Sequence, residues 1–155
     1  MVLPTIQDPN PYGPLSEESL RKLERKIGVM LPPDYREFLR RYNGGRPEPD
    51  GFWIEKGSYS SGVHQFYGLH DGPAWLSIDT YAGPERYGVP EGLLPIGDDG
   101  IGNFICIGLV GEGRGAIYFI DHEIHPYAEP DSFEGVTEVA GSFSEFLSRL
   151  QKLSE

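Results

Sequence analysis

The stretch "PIGDDGIGNFICIG", residues 95–108, sets Asp98 and Asp99 among Gly97, Gly100 and Gly102, directly ahead of alternating large apolar residues. Such residues serve three ends: a glycine cradle for phosphate, a carboxylate pair for acid and base work, or a turn into a buried strand. A phosphate cradle needs glycines that follow a strand and open a helix, so that backbone N–H groups converge on the anion. Here the glycines open a strand, their spacing matches neither G-x-G-x-x-G nor the P-loop, and no lysine stands near. A catalytic carboxylate pair must sit on opposite sides of a substrate, whereas adjacent residues in a turn diverge. The expected role is therefore a turn, in which Asp and Gly supply positive φ and local hydrogen bonds and aim Phe104 to Ile107 into the core. The exposed acids of that turn are left for protein contact.

"IDHEIHPY", residues 120–127, gathers Asp121, His122, Glu123 and His125. It is not H-E-x-x-H, and along a continuing strand His122 and His125 point to opposite faces, so they do not converge on one ion. A polar strand end entering a turn at Pro126 is expected, with no metal and no cofactor. His64 and His70 stand alone in loop or edge sequence. Nucleophilic catalysis finds no G-x-S-x-G, and Cys106 lies inside an apolar run, where burial removes thiol reactivity. No catalytic residue is assigned.

The elements that position these residues are legible in part. Residues 1–14 carry four prolines with Asn10 and Gly13 and read as an extended lead-in, tied down in part at Tyr12. Ser16 caps a first helix running to Ile27, with Leu20, Leu23 and Ile27 inward and Gly28 as its stop. In "LPPDYREFLRRYNGG", Pro32 and Pro33 suit a first turn, Tyr35, Phe38, Leu39 and Tyr42 form a core stripe, and Asn43 to Gly45 end the helix. Edge strands are expected at 52–55 and 63–67, joined by the polar loop "KGSYSSG". A helix is expected from Pro73 with Trp75, Ile78 and Tyr81 or Ala82 inward. "NFICIGL" and "GAIYFID" read as a central hairpin with apolar residues on both faces. Ser142 with Glu145 forms a capping box that opens a closing helix, burying Phe143, Phe146, Leu147 and Leu150.

The 155 residues suit one globular unit, expected as a single domain over 15–155 after the lead-in. Thirteen Lys and Arg stand against 24 Asp and Glu, a net charge of −11. That charge repels nucleic-acid backbones and anionic lipid, so no direct nucleic-acid or membrane binding is expected, and it attracts a basic protein. One cysteine excludes an intrachain disulfide and suits a reducing compartment. The stretch Met1 to Pro14 lacks the basic start and apolar core of a leader, and no apolar run approaches the length of a membrane span, so a cytoplasmic location is expected. Trp53, Tyr59, Phe66 and Tyr67 read first as core or edge aromatics; the second reading makes them anchors for a partner.

Taken in order, "LPPDYREFLRRYNGG", "LLPIGDDGIGNFICIGL", "GAIYFIDHE" and "SFSEFLSRL" resemble the SUKH superfamily, in its Smi/Knr-type branch named after fungal cell-wall assembly regulators. The resemblance spans nearly everything from Leu15 to Leu150. It implies an α+β fold with N-terminal helices, a central, mostly antiparallel sheet and a C-terminal closing helix. In it Gly97, Asp98, Gly102 and Asn103 belong to the turn into a central strand, with no catalytic residue to carry over. It also implies protein binding: bacterial members are typically immunity proteins that neutralise a cognate toxin, often a nuclease, by stoichiometric binding. The alternative is a regulatory scaffold with several protein partners. The Pro-rich lead-in and the Gly-, Ser- and Tyr-containing loop around Gly57 to Gly62 depart from the family pattern. Candidate partner contacts are Trp53, Tyr59, Asp98, Asp99, Glu112 and Glu123, drawn from loops and sheet edge.

Overall fold

The computed structural model describes residues 3–153; the first two residues of the expected lead-in and the last two of the expected domain lie outside the described residues. The lead-in is tied down by more than Tyr12. Its strand β1 (Thr5–Gln7) pairs antiparallel with β2 (Arg46–Glu48), and the Asn10 N–H donates to the Tyr42 carbonyl at 2.6 Å. The buried Asn43 amide then donates to the Gly13 and Leu69 carbonyls, both at 3.0 Å, fastening the lead-in, the second helix and the segment around Leu69 together.

Helix α1 (Glu17–Ile27) begins at Ser16, whose hydroxyl accepts from the Ser19 N–H, and ends at Gly28 with φ 81°. Helix α2 (Pro33–Tyr42) buries Tyr35, Phe38 and Leu39, and Asn43 closes it at φ 44° in the left-handed region that Asn tolerates. Both match the boundaries that caps and periodicity predict.

The hairpin that follows differs from expectation. Strand β3 (Gly51–Glu55) pairs with β4 (Tyr59–Gly62), so the stretch expected as a connecting loop carries the partner strand itself. Backbone pairing needs no apolar alternation, and β4 is mostly solvent-facing, so its "YSSG" shows no strand pattern. The region expected as one strand at 63–67 contributes only β5 (Gln65–Phe66). The expected helix after Pro73 is broken: Ala74–Leu76 form a 3-10 turn, Ser77 is extended, and α3 (Ile78–Tyr81) is a single turn. This break buries Ile78 but turns Trp75 outward, 67% exposed.

Strands β6 (Leu93–Asp98), β7 (Phe104–Gly108), β8 (Ile117–Ile120) and β9 (Val136–Ala140) complete an antiparallel sheet in the order β5-β6-β7-β8-β9. The β7–β8 hairpin is central, as expected. Helix α4 (Phe143–Arg149) follows the last strand; Ser142 accepts from the Glu145 N–H at 3.0 Å, and the Glu145 carboxylate accepts from the Gly141 N–H in return. The fold is α+β.

Alternation along β7 and β8 splits the core between two faces of the sheet. Ile105, Ile107, Ile117 and Phe119 join the main core with α2 and α4, where the Phe143 ring lies 5.1 Å from Tyr35, 4.9 Å from Phe38 and 5.6 Å from Phe66. Cys106 and Ile120 face the other way and pack with Val89, bordered by Tyr87, Leu93, Tyr118 and Val136. This second face is shielded by irregular chain.

Candidate functional site

The turn between β6 and β7 places Asp98 and Asp99 at one end of the sheet. Gly100 and Gly102 hold φ of 82° and 105°, which glycine adopts without strain. The Asp98 carboxylate accepts from the Gly100 N–H at 2.9 Å and from the Tyr67 hydroxyl at 2.7 Å. Asp99 accepts from the Ile101 and Asn103 N–H groups at 3.0 and 3.1 Å, the Ser61 hydroxyl at 2.9 Å and the Asn103 amide at 2.7 Å. Asn103 is buried, and its amide oxygen accepts from the His122 N–H at 2.8 Å. The two carboxylates thus face different partners, one towards Tyr67 and one towards β4. Burial, followed by the Asp98 charge and hydrogen bond, pushes the Tyr67 phenol far above its ordinary range. The stretch works as a structural turn that ties β4, β6, β7 and the exit of β8 together.

Beside it lies a more accessible group. Tyr59 opens β4 at 39% exposure, its ring meets Phe119 edge-on at 6.1 Å, and its hydroxyl donates to Asp121 at 2.7 Å. Burial, then the Asp121 hydrogen bond, then the charges of Asp121, Asp99 and Glu123 push its phenol up to about 12. Asp121 also accepts from the Glu123 N–H at 3.0 Å, which fixes the chain as it leaves β8. The structure therefore brings Tyr59, Asp99 and Glu123 together, with Asp98 one residue away, around Asp121. The pairing of Asp121 with Tyr59 escapes sequence reading, because only the fold sets the two opposite one another.

Trp53 and Glu112 lie elsewhere. Trp53 stands across from Ser60, half-buried, in a groove between β3, β9 and α4 lined by Glu138 and Arg149. Glu112 sits in the 3-10 turn joining β7 to β8, at the opposite end of the sheet, roughly 15 Å away at the strand rise of about 3.3 Å per residue. Phe66 and Tyr67 are core residues, 1% and 2% exposed.

His122 is exposed and His125 buried, the latter with Nδ1 2.9 Å from the Glu134 carbonyl oxygen. Among the described residues no three His, Cys, Asp or Glu side chains are grouped to hold a metal ion. Cys106 is fully buried, and burial pushes its thiol well up, which removes nucleophilic character.

Charge is unevenly spread along the chain. Residues 83–138 hold two basic against eleven acidic side chains, −9 of the total −11, while residues 1–82 hold nine against eleven. Both cations of this segment make internal contacts, Arg86 with Asp131 and Arg114 with the Met30 and Leu109 carbonyls. In residues 1–82 several acids are paired locally, with Arg36 on Glu24 at 2.8 Å, Arg40 on Glu17 at 2.9 Å and Lys26 on Asp79 at 3.2 Å. The stretch from the approach to β6 into β9 therefore carries most of the chain's net negative charge.

No helix among the described residues is long and apolar enough to cross a membrane. Compared with known proteins, residues 14–149 match the SMI1 / KNR4 family (SUKH-1). The chain is also similar to the SPbeta prophage-derived uncharacterized protein YokK of Bacillus subtilis (strain 168), at 33% identity, with 87% of this chain and 74% of that protein covered. The chain belongs to the SMI1 / KNR4 family.

Proposed function

We propose that this SMI1 / KNR4 domain is a non-enzymatic protein-binding module, an immunity protein that neutralises a cognate basic toxin, of nuclease type, by stoichiometric binding in the cytoplasm. The observation that carries this reading is the charge of residues 83–138, which hold −9 of the total −11 and supply strands β6 to β8 with their connections. A nuclease surface built for phosphates is cationic, and carboxylates can occupy it in place of the phosphates. Complementary charge also raises association rates by about 10 to 1,000 fold at low salt, which suits an inhibitor that must act before its target. Against carboxylates of that segment, Tyr59 from β4 with Asp99, Asp121 and Glu123 offers an aromatic ring among acids, and we assign it as a contact point. The lead-in pairs into the fold through β1, and we take it with the family-matched residues as one functional unit.

The test is capture of partners by the tagged chain from lysate of its source at low and high salt, with identification of what is retained. One dominant basic protein, retained at equimolar ratio and losing its activity on titration with the chain, is the expected result. Several envelope or housekeeping proteins would instead favour the regulatory scaffold, and no retained protein would overturn the binding reading.

A further inference from the structure

We propose that the connection from β8 to β9, residues 121–135, is the specificity loop of this domain, seating Ile124, Tyr127 and Phe133 in apolar recesses of a basic protein surface. The proposal rests on the reading of the chain as a binder of a basic protein, and it names the element that chooses the partner.

A connection this long without regular structure is uncommon in a compact fold and is usually functional. This one is also rigidly organised. The Asp121 N–H donates to the Gly135 carbonyl at 2.9 Å, closing the loop at its base, and the Ile124 and His125 N–H groups return to the Asp121 carbonyl at 3.1 and 2.8 Å. Further along, Glu129 donates to Pro126 and Ser132 to Glu129, both at 3.0 Å, while Val136 donates to Phe133 at 3.1 Å. Asp131 anchors the loop to its neighbour by accepting from Arg86 and from the Glu91 N–H. Tyr127 lies against the backbone of Gly88, where a Cβ would come within 2.6 Å of its ring.

Despite this internal order, the loop leaves its large apolar side chains in water: Ile124 is 53%, Tyr127 69% and Phe133 58% exposed. Tyrosine and phenylalanine on a preorganised support are favourable anchors, because little conformational entropy remains to be lost on binding. The same loop bears Asp121, Glu123, Glu129, Asp131 and Glu134 and no Lys or Arg, so the partner presents cations around its apolar recesses. Trp75 is as exposed as Tyr127 but lies outside the acidic loop, in residues 1–82 with nine basic and eleven acidic side chains, which makes it the internal control.

The probe is a phage-displayed library of short random peptides, panned on the full chain at low salt. Enriched peptides should combine Lys or Arg with an aromatic or aliphatic residue. Their binding should weaken about tenfold or more in the Y127A/F133A variant and stay unchanged in W75A. Circular dichroism checks folding, and if the double variant melts early, I124A serves in its place. Absence of enrichment, peptides without basic residues, or peptides indifferent to all three loop substitutions would each overturn the proposal. Basic peptides lost in Y59A but not in the loop variants would remove the loop and leave the binder reading standing. Concentration-dependent self-association abolished by Y127A/F133A would assign the loop to a second copy of this chain and equally refute it.

Discussion

Replacing Asp99 by Ala tests whether the acidic turn is architecture. The carboxylate accepts four hydrogen bonds, and their donors differ in what happens when it goes. The Ile101 N–H belongs to a residue 73% exposed and turns to water, losing about 0.5–1 kcal/mol. Asn103 is 6% exposed, so its amide is left unpaired inside the protein at about 1–3 kcal/mol. Since Asn103 also holds the His122 N–H, the exit of β8 loosens with it. Allowing for non-additivity within one network, D99A should destabilise by about 2–4 kcal/mol. For a chain of this size that lowers the melting midpoint by roughly 4–16 °C. Asp99→Asn keeps the shape and part of the accepting capacity and should cost about half as much. The assay is thermal unfolding followed by near-ultraviolet circular dichroism, with partner affinity measured well below the midpoint. A midpoint within about 1 °C of the parent would refute the reasoning, because a group with these partners cannot be removed for nothing. Weakened partner binding at unchanged stability would make Asp99 a contact residue and not a structural one.

Glu24 is clasped by the Arg36 guanidinium at 2.8 and 3.1 Å, with both side chains largely buried. Burial works to raise its pKa, but the Arg36 hydrogen bonds and the Leu31 N–H outweigh it and hold the carboxyl below its ordinary value of 4.5. Its stabilising contribution is therefore full above that value and lost as pH falls through the lower folded one; E24Q should cost about 2–3 kcal/mol near neutrality and flatten the loss of stability on acidification, measured by urea unfolding against pH. Phe143→Ala opens a cavity among Tyr35, Phe38 and Phe66 and should cost about 3–5 kcal/mol in denaturant unfolding, whereas W75A should stay within about 0.5 kcal/mol. Cys106 should resist a thiol reagent in the native state and label fully in denaturant; rapid native labelling would contradict its burial.

The legible part of the site was the turn. Asp, Gly and Asn in "GDDGIGN" carry their conformational preferences locally, and those preferences point to a turn without the rest of the chain. Where the carboxylates end up was not legible. Neighbours in a turn are expected to diverge into solvent, yet Asp98 reaches Tyr67 and Asp99 reaches Ser61, partners 31 and 38 residues away. The same holds for Tyr59 and Asp121, joined across 62 residues. Glu112, alike in composition and in its glycine-flanked turn, is carried by strand direction to the far end of the sheet.

By itself the sequence determined α1, α2, α4 and the β7–β8 hairpin, because caps, helical periodicity and glycine stops act within one or two turns of chain. It determined the net charge and the inert setting of Cys106 as well. Only the tertiary structure decided the pairing of β1 with β2, the strand hidden in "YSSG", the course of β6 through Pro95, and the addition of β9 at the sheet edge. Backbone hydrogen bonds between distant segments leave no signature in residue type, and polar or proline-containing strands lack the alternation that would announce them. Tertiary structure likewise turned Trp75 outward and set an ordered, acidic loop beside the sheet with its apolar side chains exposed. Exposure is a property of where the rest of the chain packs, and no local pattern contains it.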